Sequence, residues 1–523
     1  MFIGIDLGTT QCCIAYKNPN TNSVEVIDNP QRGGKSIPSV ISFFNNEIGY
    51  NIDAINKKRS RPECCVYDAK RFIDRTYDNV EENFDINKMN FELKKNVNNK
   101  PSYEIDFKGK KENLFPEQIS ALLLGYLKSI TEQIVNKIEG CVITVPAHFN
   151  NIEREATLFA AEMADLNVLQ LLNEPSAAAI SYGHANGIKT GFILVFDFGG
   201  GTLDVSIVHK QNEKYDVVGY AGDQILGGRD IDNAILDYCI KQFQTMYSIE
   251  HNNAKKRAIL LEKCESAKII LSEVKRNQTE IFDWNENDSI ILTKNKLEEI
   301  CQPFFVRSMG ILETFLNKVK MEKNQIDVIV MTGGSSRIPL IQKMVTDFFG
   351  RQPLCHDPEA AIAKGAALVA FDYSQKYSNF NLVDQVRYSI GKSVINKEIK
   401  DGPGLFSVII EAGTKIPCNG TQRYFTTCDN QKLTSIIIAE GESKYFGGNT
   451  FIDSFRLENL PPGKAGEISM DVTIEINKSG LMLVTATETS KKVTKSKEMK
   501  REGNYYNLNE KKQINDTFLS LLK

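Results

Sequence analysis

The sequence predicts an α/β architecture over residues 1–372, followed by a small antiparallel β unit and one short C-terminal helix. Three observations predict it. From Met1 to about Asp372, apolar strand-like runs alternate with helical patterns. Beyond that, Ile468, Met470, Val472, Ile474 and Ile476 alternate with Glu467, Ser469, Asp471, Thr473 and Glu475, the period of a strand with one buried and one wet face. Finally, one motif occurs twice. Phe2–Asp6 runs into Leu7-Gly8-Thr9-Thr10, and Phe192–Asp197 runs into Phe198-Gly199-Gly200-Gly201-Thr202. A spacing of about 190 residues is too long for a solenoid repeat, so the chain is read as two similar lobes whose turns share one cleft.

Taken in order, strands are expected at Phe2–Ile5, Cys141–Val145, Phe192–Phe196 and Val328–Met331. Helices are expected at Pro116–Lys137, Asn151–Asp165 and Lys256–Val274. The segment 371–382 is polar and lacks periodicity, which marks a linker at 373–384. Strands Gln422–Thr427 and Thr434–Ile438 follow, and Leu481–Thr487 follows the hairpin loop Asn477-Lys478-Ser479-Gly480, so 385–503 form the β unit. In 504–523 a helix starts near Asn509, with an apolar stripe of Ile514, Phe518, Leu521 and Leu522.

Composition narrows the function. Among 523 residues, 63 Lys and Arg face 66 Asp and Glu, a net charge of −3 that leaves no basic excess for specific nucleic-acid binding. The basic run Lys491–Arg501 reads as a solvated strand edge, with ribosome or RNA contact as the lesser alternative. No apolar run reaches the length of a membrane span, and Met1–Asp6 enters a strand with no leader pattern. The 11 cysteines are odd in number and contain no C-x-x-C pair, so reduced thiols and a cytoplasmic setting are expected.

The repeated turn carries chemistry. Glycine lets backbone N–H groups approach an anion, a threonine hydroxyl donates to a phosphate oxygen, and the aspartate can hold a hydrated Mg²⁺. One such turn alone is more often a plain tight turn; recurrence with Asp and Thr intact favours the phosphate reading. A third turn, Thr332–Pro339, carries the pair Gly333-Gly334, which leaves room for a flat ring or sugar. In isolation the better reading is a plain glycine-eased strand-to-helix junction.

Together, Ile5–Thr10, Asp68–Arg71, Val145–Ala147, Asn173–Ala179, Asp197–Thr202 and Gly333–Pro339 resemble the 70-kDa heat-shock chaperone family in order and spacing. Ile416-Pro417, Phe425–Thr427, Asp429–Gln431, Gly441-Glu442 and Leu460–Pro462 continue the resemblance over nearly the whole chain. It implies an actin-like, two-lobed ATPase domain with ATP or ADP and Mg²⁺ at the cleft floor. An antiparallel β-sandwich that grips apolar segments of unfolded or nascent polypeptides would follow it. Asp6 and Asp197 are implied on the metal's water shell, and Gly8, Thr9, Thr10, Gly199, Gly200, Gly201 and Thr202 on the phosphates. Lys70 is implied beside the γ-phosphate, Glu174 at the attacking water, and Asp204 as a further carboxylate. Glu265, Lys268 and Ser272, at i, i+3 and i+7 of one helix, are implied to hold adenosine with Gly333, Gly334, Ser335, Arg337, Ile338 and Glu359. Pro146, Arg154 and Asp384 are implied to relay nucleotide state. Phe425 and Ile436 match the peptide pocket, although each serves equally as sandwich core. A J-domain co-chaperone and a nucleotide-exchange factor are the implied partners.

Departures from the family pattern point to a second reading, a regulatory or ribosome-associated relative with little hydrolysis. Ile269 stands where the family carries an arginine on adenine, which removes a cation–π contact. Gln11 replaces an aromatic or Asn, and Gln170 an arginine used in J-domain docking. The linker Phe380–Asp384 lacks an unbroken leucine run, and Lys392 and Thr434 fall at pocket positions that are normally apolar. The family's helical lid needs a longer C-terminal region, and a pocket without it is expected to release peptide faster. A third reading, a small-molecule kinase on the same core, is disfavoured by the β unit.

Overall fold

The computed structural model describes all residues except 87–88, 252, 274, 285, 376–379, 396–403, 491–493, 499–507 and 523. Parts of the expected linker, of the basic run and of the C-terminal tail therefore lie outside the described residues. Contacts separate two units, Met1–His148 with Thr157–Asn381, and Phe149–Ala156 with Leu382–Lys523.

In the first unit two sheets share one topology. The strand Phe2–Asp6 pairs in parallel with Gly140–Val145, which is parallel to Val168–Asn173, and antiparallel with Gln11–Lys17. The strand Thr190–Phe198 likewise pairs in parallel with Val328–Thr332 and antiparallel with Leu203–Gln211, beyond which lies Lys214–Asp223. This is the two-lobed, actin-like α/β fold that the resemblance implies. The aspartate closes the first central strand and stands one residue before the end of the second, on the carboxyl edge where parallel sheets place ligands. Both are covered on two faces and so read as continuous apolar runs, with Ile3, Ile5 and Ile193–Phe196 fully buried. The helix Ala361–Asp372 lies so close that a Cβ on Gly4 would sit 2.5 Å from Ala363 O. The expected strands all appear, with ends displaced by up to four residues. Helix Pro116–Val135 stops short of Lys137 because Asn136 turns to φ 61°.

The second unit contains two four-stranded antiparallel sheets. One runs Leu405–Ile410, Ile390–Val394, Leu433–Glu440, Thr450–Glu458; the other runs Cys418–Phe425, Ser469–Ile476, Met482–Glu488, Thr494–Glu498. Period-two alternation turns Met470, Val472, Ile474 and Ile476 inward to a shared core with Ile390, Ile410, Ile438 and Phe455. Ile436 belongs to that core and is fully buried, whereas Phe425, at a strand end, is 53% exposed. Helix Leu508–Leu522 buries Ile514, Phe518 and Leu521. Leu522, expected on the same stripe, is exposed: eight residues after Ile514 it is turned about 80° away, and it closes the helix. No described helix is long and apolar enough to cross a membrane, and all 11 cysteines are free.

Candidate nucleotide cleft

The two repeated turns face each other across a cavity of about 450 Å³ in the first unit. A Cβ on Gly201 would lie 2.8 Å from Thr9 Oγ1, and one on Gly200 would lie 3.0 Å from Thr10 Cβ. Each threonine thus rests against the opposite lobe's loop, at a distance only glycine permits. The loop's carbonyls are tied back. Gly228 N–H donates to Gly199 O at 3.0 Å, Arg229 N–H to Gly200 O at 2.8 Å, and Arg71 Nη2 to Gly201 O at 2.8 Å. The Ser335 hydroxyl donates to Gly199 O at 2.8 Å.

At the cleft floor Lys70 pairs with Glu174, their side chains 10% and 7% exposed. Lys70 comes from the short helix Ala69–Phe72, and Glu174 opens helix Glu174–Ala185 just before Pro175, where a negative charge meets the positive end of the helix dipole. Burial opposes the Lys70 charge, but the Glu174 and Asp6 carboxylates overcome it and hold its pKa above the ordinary value. Burial and then Glu174 push Asp6 to about 7, against Lys70 and the Thr144 hydroxyl, which donates at 3.3 Å. Asp197 is driven well above the carboxylate range by burial, then by Glu174, Asp204 and Asp6. Burial brings Asp204 to about 7; its Oδ1 lies 3.1 Å from His148 Nδ1, while Oδ2 is buried without a partner.

Four carboxyl groups therefore crowd one ammonium, and their raised pKa values reflect burial and mutual repulsion that a divalent cation with oxygen donors would relieve. Among the described residues no group of three or more His, Cys, Asp or Glu is placed to hold a metal directly. The donor set thus fits a magnesium ion that keeps its waters, and the glycine cradle fits phosphate groups.

Farther along the cavity, helix Ala254–Ser272 presents Glu265 and Lys268. Lys268 Nζ lies 2.7 Å from Asp232, and Arg229 Nη1 lies 3.9 Å from Glu265. Gly333 adopts φ 80°, and a Cβ there would meet Asp197 Oδ1 at 2.7 Å. Gly334, Ser335 and the pair Arg337–Glu359 (3.0 Å) complete this wall.

Of the residues singled out in the sequence, Asp6, Gly8, Thr9, Thr10, Lys70, Glu174, Asp197, Gly199–Thr202, Glu265, Lys268, Gly333–Ser335, Arg337 and Glu359 line this one cavity. Three do not. Asp204 sits behind the floor, Ser272 turns its hydroxyl back to Lys268 O at 2.8 Å, and Ile338 is buried in the apolar core of the second lobe. Pro146 is buried after strand Gly140–Val145. In the second unit, Arg154 Nη1 donates to Ser479 O at 3.3 Å, and Asp384 accepts from Gln385 N–H at 2.7 Å. Residues not singled out also line the cavity: Arg32, Ser36, Arg229 and Asp232. The glycines beside two of them, Gly33-Gly34 and Gly227-Gly228, were the available signal.

Comparison with known proteins agrees with this geometry. The family model described as "Hsp70 protein" matches residues 2–518. The heat shock cognate HSP70 protein of Trypanosoma brucei brucei is 35% identical over 511 residues, covering 94% of this chain and 74% of the relative. The heat shock cognate 70 kDa protein 3 of Dictyostelium discoideum is 34% identical over 509 residues, covering 94% and 79%. A ribosome-associated molecular chaperone of Candida glabrata is 34% identical over 501 residues, covering 93% and 80%.

Proposed function

The chain belongs to the Hsp70 family of ATP-dependent chaperones, ATPases that bind unfolded polypeptides, and we propose on that premise how its own residues divide the work. The nucleotide domain spans 1–372 and works in the cytoplasm. Thr9, Thr10, Thr202 and the loop Gly199–Gly201 hold the phosphates; Asp6 and Asp197 hold the water shell of Mg²⁺. A bound magnesium ion supplies neutralisation of phosphate charge. Lys70 steadies the terminal phosphate, and Glu174, held in place by its pairing with Lys70, orients the attacking water. Phosphoryl transfer asks for such positioning more than for covalent chemistry. The single observation behind this division is the Lys70–Glu174 pair set between the two facing Asp–Gly–Thr turns.

Glu265, Lys268, Gly334, Ser335 and Arg337 hold adenosine. The β unit, 385–503, binds extended polypeptide. The test of the catalytic division is hydrolysis of ATP by the purified protein with and without Lys70→Ala. A loss of about 10²–10³-fold is expected; equal rates in both proteins would overturn it.

A ribosome-associated role is the second reading, supported by the likeness to a relative so named. Gln170 accepts a hydrogen bond from Tyr373 Oη at 3.0 Å, so this side chain is engaged within its own unit rather than left for a J-domain partner. Co-sedimentation with ribosomes checks this reading.

A further inference from the structure

The inner face of the β unit changes character along its length. Directly opposed residues of antiparallel strands point to the same side. Ile390 faces Ile410, both buried in the apolar core. Two residues on, Lys392 faces Ser407 and, across the other neighbour, Ile438. Thr434 faces the buried Leu457, and Tyr424 of the second sheet faces the buried Met470, so both point inward. Four polar side chains, Lys392, Ser407, Tyr424 and Thr434, thus occupy inward positions where the strand period calls for apolar ones. The strand Leu405–Ile410 is half-buried along nearly its whole length, so this end of the core is partly open.

Lys392 is 7% exposed. Its Nζ donates to Ser393 O at 2.9 Å and stands 4.9 Å from the centre of the Tyr424 ring. The Tyr424 hydroxyl is occupied with Ser407 Oγ at 3.1 Å. Among the described residues no carboxylate forms an ion pair with this ammonium, which can still offer two N–H donors. An ammonium buried without a counter-charge is costly, and a carboxylate is the group that would relieve it.

On the reading that the β unit binds polypeptide, we propose that Lys392 receives an aspartate or glutamate side chain of the bound segment. The pocket then selects an acidic residue flanked by apolar ones, in place of a large aliphatic residue. Burial draws the Lys392 pKa down to about 8, and a bound carboxylate would hold the lysine charged.

Three heptapeptides capped at both ends, identical except for a central Leu, Gln or Glu, test this by fluorescence anisotropy with the full chain. The Glu peptide should bind about tenfold more tightly than the other two, as expected for a charge-assisted bond, and Lys392→Met should erase that margin. If the Leu peptide binds best to the unaltered chain, or the Glu margin survives Lys392→Met, the inference is wrong. If none of the three binds, the polypeptide-binding reading itself fails, and this inference with it. The ranking on the unaltered chain stands whether or not the variant folds.

Discussion

Two lysines in this molecule are buried to nearly the same degree and fare oppositely. Lys70, 10% exposed at its side chain, pairs with Glu174 and has Asp6 beside it; its pKa is raised. Lys392, 7% exposed, finds among the described residues only a backbone carbonyl and a ring face, and burial lowers its pKa to about 8. Burial alone does not set the state of a buried cation; the nearest counter-charge does. In the cleft the protein crowds more carboxyl groups than its own cation can balance, which a bound divalent metal would relieve. In the sandwich it holds a cation with no anion paired to it among the described residues, which is the signature of a group waiting for one.

The same substitution at the two sites should therefore act with opposite sign. Lys70→Met removes the cation that offsets Asp6, Glu174, Asp197 and Asp204. Breaking a buried pair from one side costs about 3–5 kcal/mol, so local opening of the first unit should become easier by about that much in nucleotide-free protein at pH 8. The pH dependence is fixed by the direction of the carboxylate shifts. Asp6 and Asp204 titrate near 7 when folded and near 3.8 when unfolded, so the unfolded chain binds fewer protons between those values. Stability is lost as pH rises through 7, and the variant's penalty should grow from pH 6 to pH 8. Hydrogen exchange followed peptide by peptide measures it; a penalty that shrinks over that range contradicts the charge account.

Lys392→Met should instead stabilise the β unit. The fall from the ordinary 10.5 to about 8 corresponds to about 3 kcal/mol, an upper figure for the gain at neutral pH. Between those two values the unfolded chain keeps a proton that the folded chain gives up. The unaltered protein therefore gains stability as pH climbs from 8 toward 10.5, and the advantage of methionine fades over the same interval. Exchange protection in Ile390–Val394 and Leu433–Glu440 reads this directly. A destabilised variant would mean that the lysine already has a compensating partner.

The contrast between these sites was only half legible in the sequence. The cleft floor announced itself because its chemistry is local: an aspartate at a strand end, a glycine that must sit close to a threonine, and the same turn repeated about 190 residues later. Lys392 and Thr434 were visible as polar residues at positions expected to be apolar, since a strand's period fixes which face a residue takes. Arg32 and Arg229 were marked only by the glycine pairs beside them, and Asp232 by nothing nearby. Their place in the cavity depends on how distant segments close around it, which charge and spacing near them do not encode. Ser272 and Ile338 show the converse limit. Helical spacing put Ser272 on the Glu265–Lys268 face, but at the helix end its hydroxyl found Lys268 O instead. Ile338 sits in a loop whose glycines face the cleft while its own side chain fills the core.

The mildest test adds a cation where the cleft lacks one. Ile269 lines the cavity and is 58% exposed, an apolar side chain beside Glu265 and Lys268. An arginine there could lie over a bound base, and it would follow Glu265 by four residues, the orientation that favours an acid–base pair along a helix. At so exposed a site a guanidinium on a ring is worth only about 0.5–1 kcal/mol, because solvent already satisfies it. Ile269→Arg should therefore tighten ATP and ADP by about two- to fivefold in calorimetric titration. Inorganic tripolyphosphate, which has no base, should bind as before, since the Lys70 end of the cleft is untouched. A gain shared by tripolyphosphate would show that the new charge acts through the field of the whole cleft. The distinction between a cation defined by its immediate neighbour and one defined by its surroundings would then hold only for buried side chains.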